Sequence, residues 1–154
     1  MKKLICLPAL ILLITCVTHG ASTQNEPQRL NDQQMRDLVS RMEHDAERFR
    51  HSLHEEMEHA RWDDKRDRES MNQAANDFEQ ATGRLKDHFH NGNARPSDVQ
   101  EVLNRGAMIN TYIVGRNMLP RSKTDWVALR GDLDQLASAY NINWQWPQAP
   151  PPGQ

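Results

Sequence analysis

The sequence predicts an all-α fold: an antiparallel bundle of about four helices behind a cleaved signal peptide. Three observations predict it. Apolar residues recur at spacings of three and four in four separate stretches, which sets them on one stripe of a helix. Alternating β-branched runs of the kind that mark strands are almost absent. Turn-forming or purely polar segments separate the stretches.

The first 20 residues read as an address. Lys2 and Lys3 precede an apolar run from Leu4 to Val17, shorter than the roughly 20 residues a membrane-spanning helix needs. Thr18, Gly20, Ala21 and Ser22 supply the small residues a signal peptidase accepts, so cleavage is expected near Gly20 to Ser22. A rival reading is a lipoprotein: Leu13-Ile14-Thr15-Cys16 resembles a lipobox, with Thr15 where Gly, Ala or Ser is usual, and would anchor the chain through Cys16. Either route exports the chain, to the periplasm or beyond. Both cysteines, Cys6 and Cys16, lie in this segment. Cleavage after Gly20 therefore leaves no thiol for disulfides, thiolate metal sites or nucleophilic catalysis. It also leaves 17 basic against 21 acidic groups, with the signs interleaved and no basic patch for nucleic acid.

Residues 21–29 are polar, contain Pro27 and read as a flexible leader. The domain proper is expected over 30–146. Its first helix should run from Leu30 to about Ala60, with Met35, Leu38, Met42, Ala46, Phe49, Leu53, Met57 and Ala60 on one stripe. Trp62 falls off that stripe, and 63–70, "DDKRDRES", reads as the connection. The second helix should cover about 69–90 on Met71, Ala74, Phe78, Ala81, Leu85 and His88/Phe89, stopped by Asn91-Gly92-Asn93. In the third, Ser97 and Gln100 form a capping box; Val99, Val102, Leu103, Gly106, Ile109 and Ile113 make the stripe, and the end is expected near Asn117. The fourth should start at Ser122 or Thr124 and reach Tyr140 through Trp126, Leu129, Leu133 and Leu136. A Pro-rich tail, 147–154, cannot be helical and is expected to be extended and mobile. The first helix looks longer than its partners, so it should bend or overhang, and an overhang could pair with a second copy as a homodimer.

The segment "HSLHEEMEHARW", 51–62, raises the question of metal. His51, Glu55 and His59, four and four apart, form a ridge opposite the apolar stripe, with His44 near it. Imidazole and carboxylate suit Zn²⁺, Cu²⁺ or Ni²⁺. A tight site needs four ligands and supporting partners, which one helix face does not supply. His54 and His59 are five apart, and the H-E-x-x-H zinc motif needs four. Glu56-Met57-Glu58-His59 has the Glu-x-x-His spacing of di-iron bundles, but such bundles need two copies. The blander reading is a solvated polar face. Met35, Met42, Met57 and Met71 sit at stripe positions and read as core rather than as ligands. Trp144 and Trp146 read either as a carbohydrate or partner contact or as a cap folded back on the bundle end. If extended, that segment should point the two rings opposite ways.

"DFEQATGRLKDHF", "PSDVQEVLNRGAMI" and "TDWVALRGDLDQLASAYNINWQW" together resemble a group of small exported bacterial helical proteins of uncharacterised activity. The shared patterns are F-E-x-A-T-x-R-L, D-V-Q-E-V-L-N-R and D-W-x-x-L-R-x-D-L-x-x-L-A-x-x-Y, over about residues 77–146. The resemblance implies an exported helical domain and assigns no activity, cofactor or site residue. Nucleophile elbows, phosphate loops and dinucleotide fingerprints are missing from the sequence. The expectation is a non-catalytic exported protein, without cofactor, that meets an unknown protein partner in the cell envelope. The alternative is weak periplasmic metal binding or buffering at His51, Glu55 and His59.

Overall fold

A computed structural model of the chain describes residues 30–59, 64–114 and 120–147. The expected signal peptide, the leader, Ala60, Trp62, Asn117 and the tail beyond Pro147 lie outside the described residues. Among the described residues four helices make the fold: α1 (Asp32–His59), α2 (Lys65–His90), α3 (Pro96–Val114) and α4 (Pro120–Ala139). Helix α1 packs on both α2 and α4, α2 also packs on α3, and α3 meets α4 least. Pairings between α1 and α4 run in opposite senses, Arg41 to Asp132, Ser52 to Asp125 and Glu56 to Ser122, so the two are antiparallel.

Each helix starts where a side chain satisfies its orphan N–H groups. Asn31 and Gln34 form a reciprocal capping box on α1: Gln34 N donates to Asn31 Oδ1 at 2.8 Å and Asn31 N to Gln34 Oε1 at 2.9 Å. Asp64 caps α2, its Oδ1 accepting from Arg66 N and Asp67 N at 2.9 and 3.3 Å. The helix therefore begins at Lys65, several residues earlier than the apolar pattern indicated. Lys65, Arg66 and Glu69 are exposed helix formers that need no apolar partner. The start of α3 also differs from expectation. Pro96, with its φ preset and no N–H to satisfy, takes the first helical position. Arg95 is then the capping residue, and Asp98 rather than Ser97 supplies the oxygen, accepting from Arg95 N at 2.8 Å. Pro120 likewise brings the described start of α4 forward.

Two helices end in the same motif. After α2, Asn93 N donates to His88 O and Gly92 N to Phe89 O, with Gly92 at φ +69°. After α4, Ile142 N donates to Ala137 O and Asn141 N to Ser138 O, with Asn141 at φ +54°. Both are Schellman closures through a left-handed residue.

The four stripes form one core. Every expected stripe residue within the described segments is buried except His88, Phe89 and Tyr140, which are half-buried. Trp126 lies at its centre, 5.5 Å from the Phe49 ring, 5.9 Å from Phe78 and 6.0 Å from Trp146. It thus ties together α1, α2, α4 and the segment after α4. That segment, 142–147, has no regular structure and lies as a strap between α3 and α4. Trp146 Nε1 donates to Asp134 Oδ1 and the Arg130 guanidinium sits 4.9 Å from its ring centroid. Asn110, buried on α3, donates to Pro147 O at 3.1 Å and accepts from Trp126 Nε1 at 3.3 Å. The two strap tryptophans do not diverge as alternation suggested. They meet edge to face at 5.6 Å, both half-buried.

Candidate functional site

Helix α1 has two inward ridges because it has two neighbours. Residues 42, 46, 53 and 57 are apolar and buried. Toward α4, Phe49 packs on Trp126 and polar pairs flank that contact. Arg41 makes a two-pronged bond to Asp132, Nε to Oδ2 at 2.9 Å and Nη2 to Oδ1 at 2.7 Å. That bond, ahead of the burial opposing it, raises the Arg41 guanidinium above its ordinary range. Three turns on, buried Ser52 donates from Oγ to Asp125 Oδ2 at 2.7 Å. Arg48 sits between Asp45, 2.9 Å away, and Asp125, 3.5 Å away.

At the far end Glu56 caps α4 from outside it. Its carboxylate accepts from Arg121 N at 3.0 Å, from Ser122 N at 2.9 Å and from Ser122 Oγ. Burial pushes the Glu56 carboxyl up, but the Ser122 and Arg121 hydrogen bonds outweigh it and hold the group below the usual glutamate range.

Between these contacts α1 and α4 leave an open cleft of about 520 Å³, lined on α1 by His44, Glu47, Arg48, His51, Ser52 and Glu55 and on α4 by Arg121 and Asp125. This is within the size range of small-ligand sites. The cleft's charges are already largely committed to one another. Glu55 is 3.5 Å from His51 Nδ1 through one oxygen and 3.3 Å from Arg121 Nη1 through the other.

The residues of the expected metal ridge are all on α1 and accessible. The structure brings His51 and Glu55 into contact, with the His51 side chain 69% exposed. His54 pairs separately with Glu58 at 3.3 Å. His59 is the last residue of α1 and is exposed. Among the described residues, no three His, Cys, Asp or Glu side chains form a group that could hold a metal ion. Sequence reasoning missed Ser52, Asp125, Arg48, Arg121 and Glu56 as a connected set. One signal was present: Asp45, Ser52 and Glu56 recur along α1 at spacings of seven and four, which sets polar groups in a row beside the apolar stripe.

No helix among the described residues is long and apolar enough to cross a membrane. No family model, curated protein or solved structure shows a significant match to this chain.

Proposed function

We propose that this is an exported, non-catalytic helical protein that works through protein contacts in the cell envelope. The observation that carries the reading is the outer face of α3. Gln100, Asn104, Ala107, Met108, Thr111 and Val114 form an uncharged strip there. Met108 and Val114 on it are 48% and 49% exposed. Depletion of charge with an exposed methionine is the composition of an interface core. The test places a photo-crosslinking residue at Asn104 of the full chain expressed in bacteria. An adduct with an envelope protein, a second copy included, is expected there, and none from Arg36 on the charged outer face of α1. Failure to form any adduct at Asn104, or retention of the chain in the cytoplasm, refutes the reading.

A second reading is favoured by the contact between His51 Nδ1 and Glu55 Oε1. This pair would chelate Zn²⁺, Cu²⁺ or Ni²⁺ weakly, with water filling the remaining positions. Calorimetric titration with each ion separates the two readings. Binding of any of these ions that is lost in His51→Ala and His59→Ala supports the metal ridge, and absence of binding heat retires it.

A further inference from the structure

Asn91 is the only asparagine in the sequence that glycine follows. Such a pair has a chemistry of its own. The side-chain carbonyl of asparagine lies within reach of the next backbone nitrogen, and glycine carries no side chain to obstruct the approach. Asn91, Gly92 and Asn93 are all exposed in the turn between α2 and α3, so water reaches both partners.

The closed turn holds the two groups apart. Ring closure needs the Gly92 nitrogen eclipsed with Asn91 Cβ about the Cα–C bond. At Asn91 ψ is 1°, so that nitrogen eclipses the Asn91 nitrogen instead. The attacking nitrogen is also occupied. Gly92 N donates to Phe89 O at 3.1 Å, and Asn93 N donates to His88 O at 2.9 Å. Both bonds depend on the last turn of α2. Two contacts hold that turn: half-buried Phe89 packs against the core, and His88 Nδ1 lies 3.1 Å from Asp98 Oδ2 on α3. A helix end held by so few contacts opens at a smaller free energy than the whole domain.

We infer that Asn91 is a site of spontaneous deamidation whose rate is set by fraying of the last turn of α2. When the turn opens, the Gly92 nitrogen bonds to Asn91 Cγ. The Cγ–NH2 bond breaks, and the Gly92 amide proton passes through water to the departing nitrogen, which leaves as ammonia. Water then opens the cyclic imide at either carbonyl. One water enters, one ammonia leaves, and no oxidation state changes. Opening at one carbonyl gives aspartate. Opening at the other gives isoaspartate, in which the main chain runs through the former side chain and is one carbon longer. The two closure bonds reach across position 91, so they cannot re-form over the longer chain. Either product also sets a carboxylate at the C-terminal end of α2, where the helix dipole opposes it. The modification is therefore one-way, and its isoaspartate product loosens the corner that joins α2 to α3.

The test incubates the form of the protein that accumulates when the full chain is expressed in bacteria, folded and in urea, at neutral pH. Peptide mapping by mass spectrometry follows Asn91. Conversion is expected in both samples, slower in the folded one by at least about tenfold because the open turn is a minor state. Phe89→Ala and His88→Ala should each speed the folded sample several-fold. Trp146→Ala, which loosens the strap rather than α2, should not. Thermal melts followed by circular dichroism establish that the variants are folded. Asn91→Asp supplies the charge on a main chain of native length and should keep the Gly92 and Asn93 amides protected from hydrogen exchange, whereas the isoaspartate product should lose that protection. Equal rates folded and unfolded overturn the inference. So does a folded rate that ignores both α2 variants, or one that Trp146→Ala raises as much as they do. Absence of conversion in urea, or an isoaspartate product with both amides still protected, overturns it as well.

Discussion

Gly106 and Gly83 both stand inside helices, and their surroundings give them opposite roles. A Cβ on Gly106 would come within 3.1 Å of Leu133 Cδ1, 3.4 Å of the Trp146 ring and 3.5 Å of the Trp126 ring. The Leu133 methyl end must give by a few tenths of an ångström, while both indoles already stand at contact distance from the added carbon. Overpacking costs about 1–3 kcal/mol against roughly 0.5–1 kcal/mol of regained helix propensity, so Gly106→Ala should lose about 1 kcal/mol in urea unfolding. Gly83 has nothing within 4 Å of its Cβ position, so Gly83→Ala should gain about 0.5–1 kcal/mol by the same propensity term alone. Shifts of the same sign would defeat this account. Glu56 supplies the pH dependence. Its carboxyl is held below the unfolded value, so its contribution is fully present above the unfolded pKa and is lost as pH falls through the folded one. Glu56→Gln should lower stability at neutral pH and flatten the acid limb of the stability curve; an unchanged acid limb would refute the role. Both glycines and Glu56 are plain in the sequence. Their roles are not, because they depend on partners far along the chain: Leu133 for Gly106, and Ser122 for Glu56.

At the scale of elements, helix existence and the buried stripe of each helix were legible in the sequence, since a period of three and four is imposed by the helix itself. The starts of α2 and α3 were not. Hydropathy does not register a charged first turn, so Asp64 and the first four residues of α2, Lys65 to Arg68, looked like a link. Pro96 took the first helical position and moved the α3 cap from Ser97 to Arg95 and Asp98. The strap after α4 was legible only as a choice between capping and partner contact. What decides it is the three-way contact among Gly106, Trp126 and Trp146, which no local pattern encodes. That contact predicts a measurable effect. Trp146 is half-buried and holds hydrogen-bond, stacking and cation–π partners, so Trp146→Ala should cost about 2–3 kcal/mol, below the 3–5 kcal/mol typical of a fully buried tryptophan. It should also expose Trp126, read as a red shift in its emission. Unaltered melting with unaltered emission would mean that the strap does not close this side of the bundle.

In the molecule as a whole, α1 is the shared wall, with α2 on one ridge and α4 on the other, while α3 meets α4 thinly and relies on the strap. The sequence hinted at this inequality through the length of the first helix, but read it as overhang or bend. The structure gives α1 28 residues against 26 for α2, and both of its seams join apolar contacts to ion pairs: Phe49 meets Trp126 of α4, and Glu43 meets Lys86 of α2. The surface ion pairs add little to the hierarchy of stability. Exposed pairs such as Lys65 with Glu69 contribute roughly 0–1 kcal/mol each and weaken with salt. Burial sets the order instead. Local opening is cheapest where few apolar groups cross an interface. Native-state hydrogen exchange should therefore release the strap amides and the last turns of α3 first. The amides of Met42 to Leu53 on α1 should exchange last, at the free energy of global unfolding, because their neighbours bury both ridges at once. Early exchange of that central stretch of α1, with α3 still protected, would mean that the load is carried by the α2–α3 pair and that the α1–α4 seam contributes less than its ion pairs and the Ser52–Asp125 bond suggest.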